Sequence, residues 1–155
     1  MKSFPALVLL LLGLCLALGG CSTTNKPDSI VVTVADLKAV DLAAQETRVT
    51  LTLRFTSESV NAFAFSSSIH KLYVNGSYLG RATSSTPIGM PPLSTVTKDV
   101  ILVLDNAAAL KQLVALSNSS VARYRLESVL IATSGEDEVR FKGNTEGTVD
   151  LRGLR

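Results

Sequence analysis

Between Thr47 and Phe55 the chain alternates with a period of two: Val49, Leu51, Leu53 and Phe55 fall on one side, Arg48, Thr50, Thr52 and Arg54 on the other. That is the signature of a β-strand with one buried and one wet face. Such a strand pairs with antiparallel neighbours and needs a second apolar layer over its inner face. The rest of the chain must supply both.

It offers several further strands. Ile30 to Val34 is a short β-branched run. Ala62-Phe63-Ala64-Phe65 resumes the alternation, and Ser66-Ser67-Ser68 interrupts it. Leu72-Tyr73-Val74, then Asn75-Gly76, then Tyr78-Leu79 predicts a hairpin, because Asn-Gly takes the positive φ angles of a type I′ turn. Thr83 to Pro92, with Pro87, Pro91 and Pro92, reads as a loop, since proline cannot donate to a central ladder. Val96 to Leu104 is a strand whose continuous apolar half from Val100 onward is expected deep in the sheet. A helix is predicted from Asn106 to about Leu116, capped by Asp105 or Asn106, with Leu110, Leu113 and Val114 on one face. Val121 to Ile131 puts Arg123, Arg125 and Glu127 outward and Tyr124 and Leu126 inward. A turn at Gly135-Glu136-Asp137 leads to Val139-Arg140-Phe141, and Gly147 to Leu151 closes the chain. About seven strands with one short helix predict an all-β antiparallel sandwich.

The first 20 residues are of another kind: Lys2, an apolar run from Ala6 to Leu18, then Gly19-Gly20 read as an export signal. The run is shorter than the roughly 20 apolar residues that span a bilayer. Leu18-Gly19-Gly20-Cys21 resembles the lipobox of bacterial lipoproteins. The resemblance implies cleavage before Cys21 and acylation of its thiol, an anchor that several acyl chains make lasting. Ser22 in the following position implies the periplasmic face of the outer membrane. Cys15 lies in the removed segment, so Cys21 would have no disulfide partner. Residues 21–29 are polar and contain Pro27, as a tether would; residues 30–155 are long enough for one domain with a substantial core.

Composition excludes several functions. The net charge of +2 falls to about +1 without Lys2, and Trp is absent, so neither an electrostatic footprint nor a stacking platform for nucleic acid is present. His70 is the only histidine; between Ile69 and Lys71 it reads as a surface or turn residue rather than a catalytic base. No serine has a nucleophile-elbow pattern. Asp36, Asp41, Glu46, Glu58, Asp99 and Asp105 are scattered without ligand spacing, and Glu136-Asp137-Glu138 reads as a soluble hairpin tip rather than a calcium loop. No catalytic, metal or cofactor residue is therefore expected. Phe63, Phe65, Tyr73 and Tyr124 are expected in the core rather than along a ligand groove. Arg48, Arg54, Arg123 and Arg125 are expected on wet faces, with Glu46, Glu127 and Glu138 as partners rather than as a basic patch.

The order of features resembles the late-embryogenesis-abundant (LEA) type 2 family, also called the water stress and hypersensitive response (WHy) domain. The matching positions are Leu51, Leu53 and Phe55, then Tyr73-Val74-Asn75-Gly76 with Gly80, Pro91-Pro92, Tyr124 with Leu126, and Gly147, Val149 and Leu151. Where the family has an Asn-Pro-Asn turn, this chain has Ser57-Glu58-Ser59 before Val60-Asn61; Ser57 or Asn61 could shape that turn by bonding a backbone amide. The resemblance implies a fibronectin III/immunoglobulin-like sandwich, no enzymatic activity, no cofactor, and protection in desiccation, with partially unfolded or envelope proteins as partners. The alternative is a specific interaction module, or a carrier of an apolar ligand, in an envelope complex.

Overall fold

A computed structural model of the chain describes residues 29–41, 47–117, 121–134 and 137–151. The expected signal segment, Cys21 and the tether up to residue 28 lie outside them, as do Glu46, Gly135, Glu136 and the polar run at 118–120.

Among the described residues nine strands and one helix follow in order: β1 Ile30–Asp41, β2 Arg48–Ser57, β3 Phe63–Phe65, β4 Ser67–Val74, β5 Ser77–Ser84, β6 Ile88–Met90, β7 Thr95–Leu104, α1 Ala107–Ser117, β8 Val121–Ser134 and β9 Asp137–Asp150. The antiparallel all-β expectation with one short helix holds. Seven strands form one continuous sheet in the order β1-β2-β7-β5-β4-β8-β9, and β3 and β6 form a small second one.

The sheet rolls up because of one weak joint. β2 and β7 pair from Arg48↔Val103 to Thr56↔Thr95, whereas β5 meets β7 only through Gly80↔Leu104, Arg81↔Val103 and Ala82↔Leu102. Gly80 permits that crossing, since a Cβ there would collide with the Val103 carbonyl oxygen. Beyond the corner the sheet continues until β9 faces β1 across a seam. No ladder closes the seam among the described residues; side chains bridge it. Thr145 Oγ1 donates to the Val32 carbonyl at 2.6 Å, and the Val34 N–H donates to the Tyr124 hydroxyl at 3.2 Å.

The period-two pattern of β2 drives the interior. Val49, Leu51, Leu53 and Phe55 are fully buried, and each such side chain stabilises the fold by about 1.5–3 kcal/mol on transfer from water. They share one core with Leu72 and Val74 of β4, Leu102 of β7 and Leu126 of β8. Two caps close the ends. At one end Ala109 and Leu113 of α1 enter the core, and Gln112 Nε2 donates to the Val74 carbonyl at 3.0 Å. At the other, Phe65, Ile88 and Met90 of the small sheet are buried.

Several local expectations need correction. Val114 is 56% exposed while Ala109 points inward, so the buried face of α1 is rotated from the predicted one. Ile101 is half exposed: β7 is central in the sheet but apolar on both faces, with only Val100, Leu102 and Leu104 inside. The loop predicted from Thr83 to Pro92 contains the end of β5 and all of β6.

Candidate functional site

The expected turn and hairpin positions lie at opposite ends of the rolled sheet. At the end of β2, buried Ser57 accepts the Ser59 N–H on its hydroxyl at 3.3 Å. Ser59 repeats the device, accepting the Asn61 N–H at 3.0 Å. Asn61 is thus held through its backbone, and its side chain is exposed. Short serine side chains bonding the amide two residues on shape the loop in place of the Asn-Pro-Asn turn. The same loop receives the start of the domain, for the Glu58 N–H donates to the Ser29 carbonyl at 2.8 Å.

At the far end, Asn75 and Gly76 adopt φ angles of 48° and 83°, and Tyr73↔Tyr78 and Val74↔Ser77 flank a two-residue turn. Asn75 does more than turn the chain. Its backbone N–H donates to the Arg123 carbonyl at 2.9 Å, and its Oδ1 accepts the Arg123 N–H at 3.2 Å, tying the hairpin to β8. Asn106, not Asp105, caps α1 through its Oδ1, which accepts the Ala108 and Ala109 N–H groups at 2.9 and 3.0 Å.

His70 is not at the surface: it is fully buried. Its Nδ1 shares a 2.9 Å hydrogen bond with Ser128 Oγ, and Phe55 meets the imidazole edge-on at 6.0 Å. Nε2 and the nearby Ser68 hydroxyl find no partner among the described residues. Burial pushes its pKa down to about 4, so the ring is neutral at physiological pH. Buried, bonded to Ser128 and packed against Phe55, His70 is part of the core. The signal that finds it is periodicity: Ser68, His70, Leu72 and Val74 are the inward positions of β4.

The expected aromatic quartet divides. Phe65 and Tyr124 are buried, and Phe63 stacks on Phe65 at 6.1 Å, with Phe141 edge-on to both. Tyr73 lies outside the core. The Arg125 guanidinium sits 3.9 Å above its ring and Tyr78 packs beside it at 5.3 Å. Burial and then the Asp105 carboxylate raise the Tyr78 pKa.

Arg48 and Arg54 on β2 are separated by β7, β5 and β4 from Arg123 and Arg125 on β8, so the four do not form one basic patch. Arg125 pairs with Glu127 at 2.8 Å and Arg140 with Glu138 at 3.3 Å. Among the carboxylates, Asp99 accepts the Thr52 hydroxyl at 2.5 Å and lies 3.5 Å from Lys38. No group of three or more potential metal ligands occurs among the described residues. The seam between β1 and β9 encloses a cavity of about 190 Å³ lined by Val32, Ser128, Leu130, Phe141 and Thr145 among others.

No protein-family profile matches the chain, and no curated protein matches it. Solved structures do. A protein of Arabidopsis thaliana known from a solution structure aligns at a TM-score of 0.52 and 13% identity, over 77% of this chain and 77% of its own. A proposed late embryogenesis abundant (LEA) protein, also known from a solution structure, aligns at 0.45 and 14% identity, over 94% and 84%. A protein from Archaeoglobus fulgidus aligns at 0.42 and 16%, over 79% and 94%. The first likeness shows a shared fold and, at that identity, nothing of function.

Proposed function

We propose that the chain is a non-enzymatic envelope lipoprotein whose domain, of the LEA type 2 kind, protects membrane or protein neighbours when water is withdrawn. The observation that carries this reading is the placement of the resemblance positions. Leu51, Leu53, Phe55, Val74, Tyr124, Leu126, Val149 and Leu151 all belong to one apolar core, while Arg125 pairs with Glu127 and Arg140 with Glu138 on the outer face.

In this reading the rolled sheet is a fibronectin III-like sandwich creased at the β5–β7 corner. A domain of this build depends on burial rather than on a cystine, metal or cofactor, and a charge-mixed exterior makes only weak contacts with unfolding neighbours. Cys21 carries the anchor, residues 22–29 are the tether, and the protein sits on the periplasmic face of the outer membrane. Drying a labile enzyme with the mature chain tests the protective role: recovered activity should exceed that with an equal mass of albumin, and equality refutes it.

The seam cavity favours a second reading, a carrier of a small apolar ligand. At about 190 Å³ it is smaller than the roughly 300–1,000 Å³ of most ligand sites, so the reading needs a compact ligand. A rise in melting temperature with short-chain fatty acids would support it.

A further inference from the structure

We propose that the end of the sheet carrying the loops at 58–62 and 91–94 is a bilayer-contact surface, which docks the domain on the leaflet that holds its anchor. Val60 is 75% exposed and Leu93 69% exposed, the two largest exposures among the large apolar side chains that the structure describes. They stand on adjacent loops joined by the Leu93 N–H, which donates to the Ser59 carbonyl at 2.9 Å. That bond holds Leu93 at a φ of +49°, a conformation that branched side chains disfavour and glycine or asparagine accept readily. Exposed Pro91 and Pro92 and half-buried Phe63 continue the surface, around a shallow open depression of about 370 Å³ floored by Met90.

The occupant follows from where the domain begins. Ser29 bonds Glu58 in this very loop, and Ile30 pairs with Ser57. Cys21 lies eight residues before Ser29, a reach of less than about 30 Å at full extension. An acyl chain on that cysteine keeps this end at high effective concentration beside lipid, so a weak apolar contact is realised that would not bind from solution. The opposite end is closed by α1 and lies a strand length away. Charges of both signs lie toward the docking end, Glu58, Asp137 and Glu138 with Arg54 and Arg140, and Arg140 is paired with Glu138; such a mixed surface favours insertion of apolar tips over attraction to anionic lipid. The proposal rests on the lipid-anchor reading above, and the test separates the two.

The chain has no tryptophan, so single reporters are unambiguous. Full-length lipidated protein carrying Val60→Trp, Leu93→Trp or, at the far end, Val121→Trp (native side chain 55% exposed) is reconstituted into zwitterionic vesicles with and without brominated acyl chains. Each protein should float with the vesicles. The first two reporters should shift to the blue and lose most of their emission to bromine, unchanged by added salt, while Val121→Trp keeps its intensity. Flotation without bromine quenching at Val60→Trp and Leu93→Trp would overturn the docking and leave the anchor standing. A blue shift without quenching would assign the surface to a protein or a second copy, which also overturns it. Protein that fails to float would refute the anchor, and the docking with it.

Discussion

Acidification should destabilise this domain through one residue. His70 is the only histidine, fully buried, and burial lowers its pKa from 6.5 to about 4. Below pH 6.5 the unfolded chain takes up a proton that the folded chain refuses until the pH nears 4. Stability is therefore complete above pH 6.5 and falls as the pH drops through that window. With about 1.4 kcal/mol per pKa unit, the loss between pH 7 and pH 5 is about 2 kcal/mol, a window that stays above the ordinary carboxylate range. For a two-state domain this lowers the urea midpoint by roughly 1 M. His70→Leu removes the titration. Its midpoint at pH 7 should drop because the buried Ser128 hydroxyl loses its partner, at a cost of about 1–2 kcal/mol, but its pH dependence over the same window should flatten. Urea titrations at pH 7, 6 and 5 for both proteins, with an imidazole NMR titration, decide the matter. An unchanged slope in His70→Leu, or an imidazole titrating near 6.5, would refute the reasoning.

Other outcomes follow from single contacts. A Cβ on Gly147 would lie 2.9 to 3.0 Å from the Tyr124 ring, whereas one on Gly143, in the same strand, meets nothing within 4 Å. Gly147→Ala should destabilise by about 1–3 kcal/mol and Gly143→Ala should be neutral or slightly stabilising in thermal melts. Tyr124→Phe leaves the Val34 N–H without its acceptor across the seam, which should cost about 1–2 kcal/mol and speed hydrogen exchange at Val34 while leaving Leu51 protected. Asn106→Ala removes the cap of α1 and should cost about 1 kcal/mol, read as a lower melting temperature.

The sequence disclosed most where a side chain's neighbours are set by local period. β2 was legible because its inward positions are large and its outward ones polar or charged, and the hairpin because Asn75-Gly76 admits few conformations. β9 was legible only at its two ends. Its positions at 143, 145 and 147 are Gly, Thr and Gly, small residues that let β1 and the Tyr124 ring approach but leave no apolar alternation to detect. His70 was misplaced because Ser66-Ser67-Ser68 hides the start of β4, so its inward register shows only when counted back from Val74. Tyr73 was misjudged because aromatic area predicts burial, and an arginine at the opposing position of β8 covers the ring instead. Ala109 carries little weight in a helical pattern, which shifted the expected face of α1 toward Val114. The rolling of one sheet could not be read at all, since it depends on a three-residue contact between β5 and β7. The apolar tip was equally hidden: Val60 and Leu93 are far apart in sequence and stand on loops that the Ser59–Leu93 bond joins.

The proposed envelope anchoring depends on what is attached to Cys21. Intact mass of the protein extracted from membranes, beside a Cys21→Ser variant, tests it most directly. Such anchoring predicts a chain beginning at Cys21 and heavier than its residues by a diacylglyceryl group and an amide-linked acyl chain, with the variant uncut and without added lipid. A free thiol at Cys21, or residues 1–20 still attached to the unsubstituted chain, would contradict it.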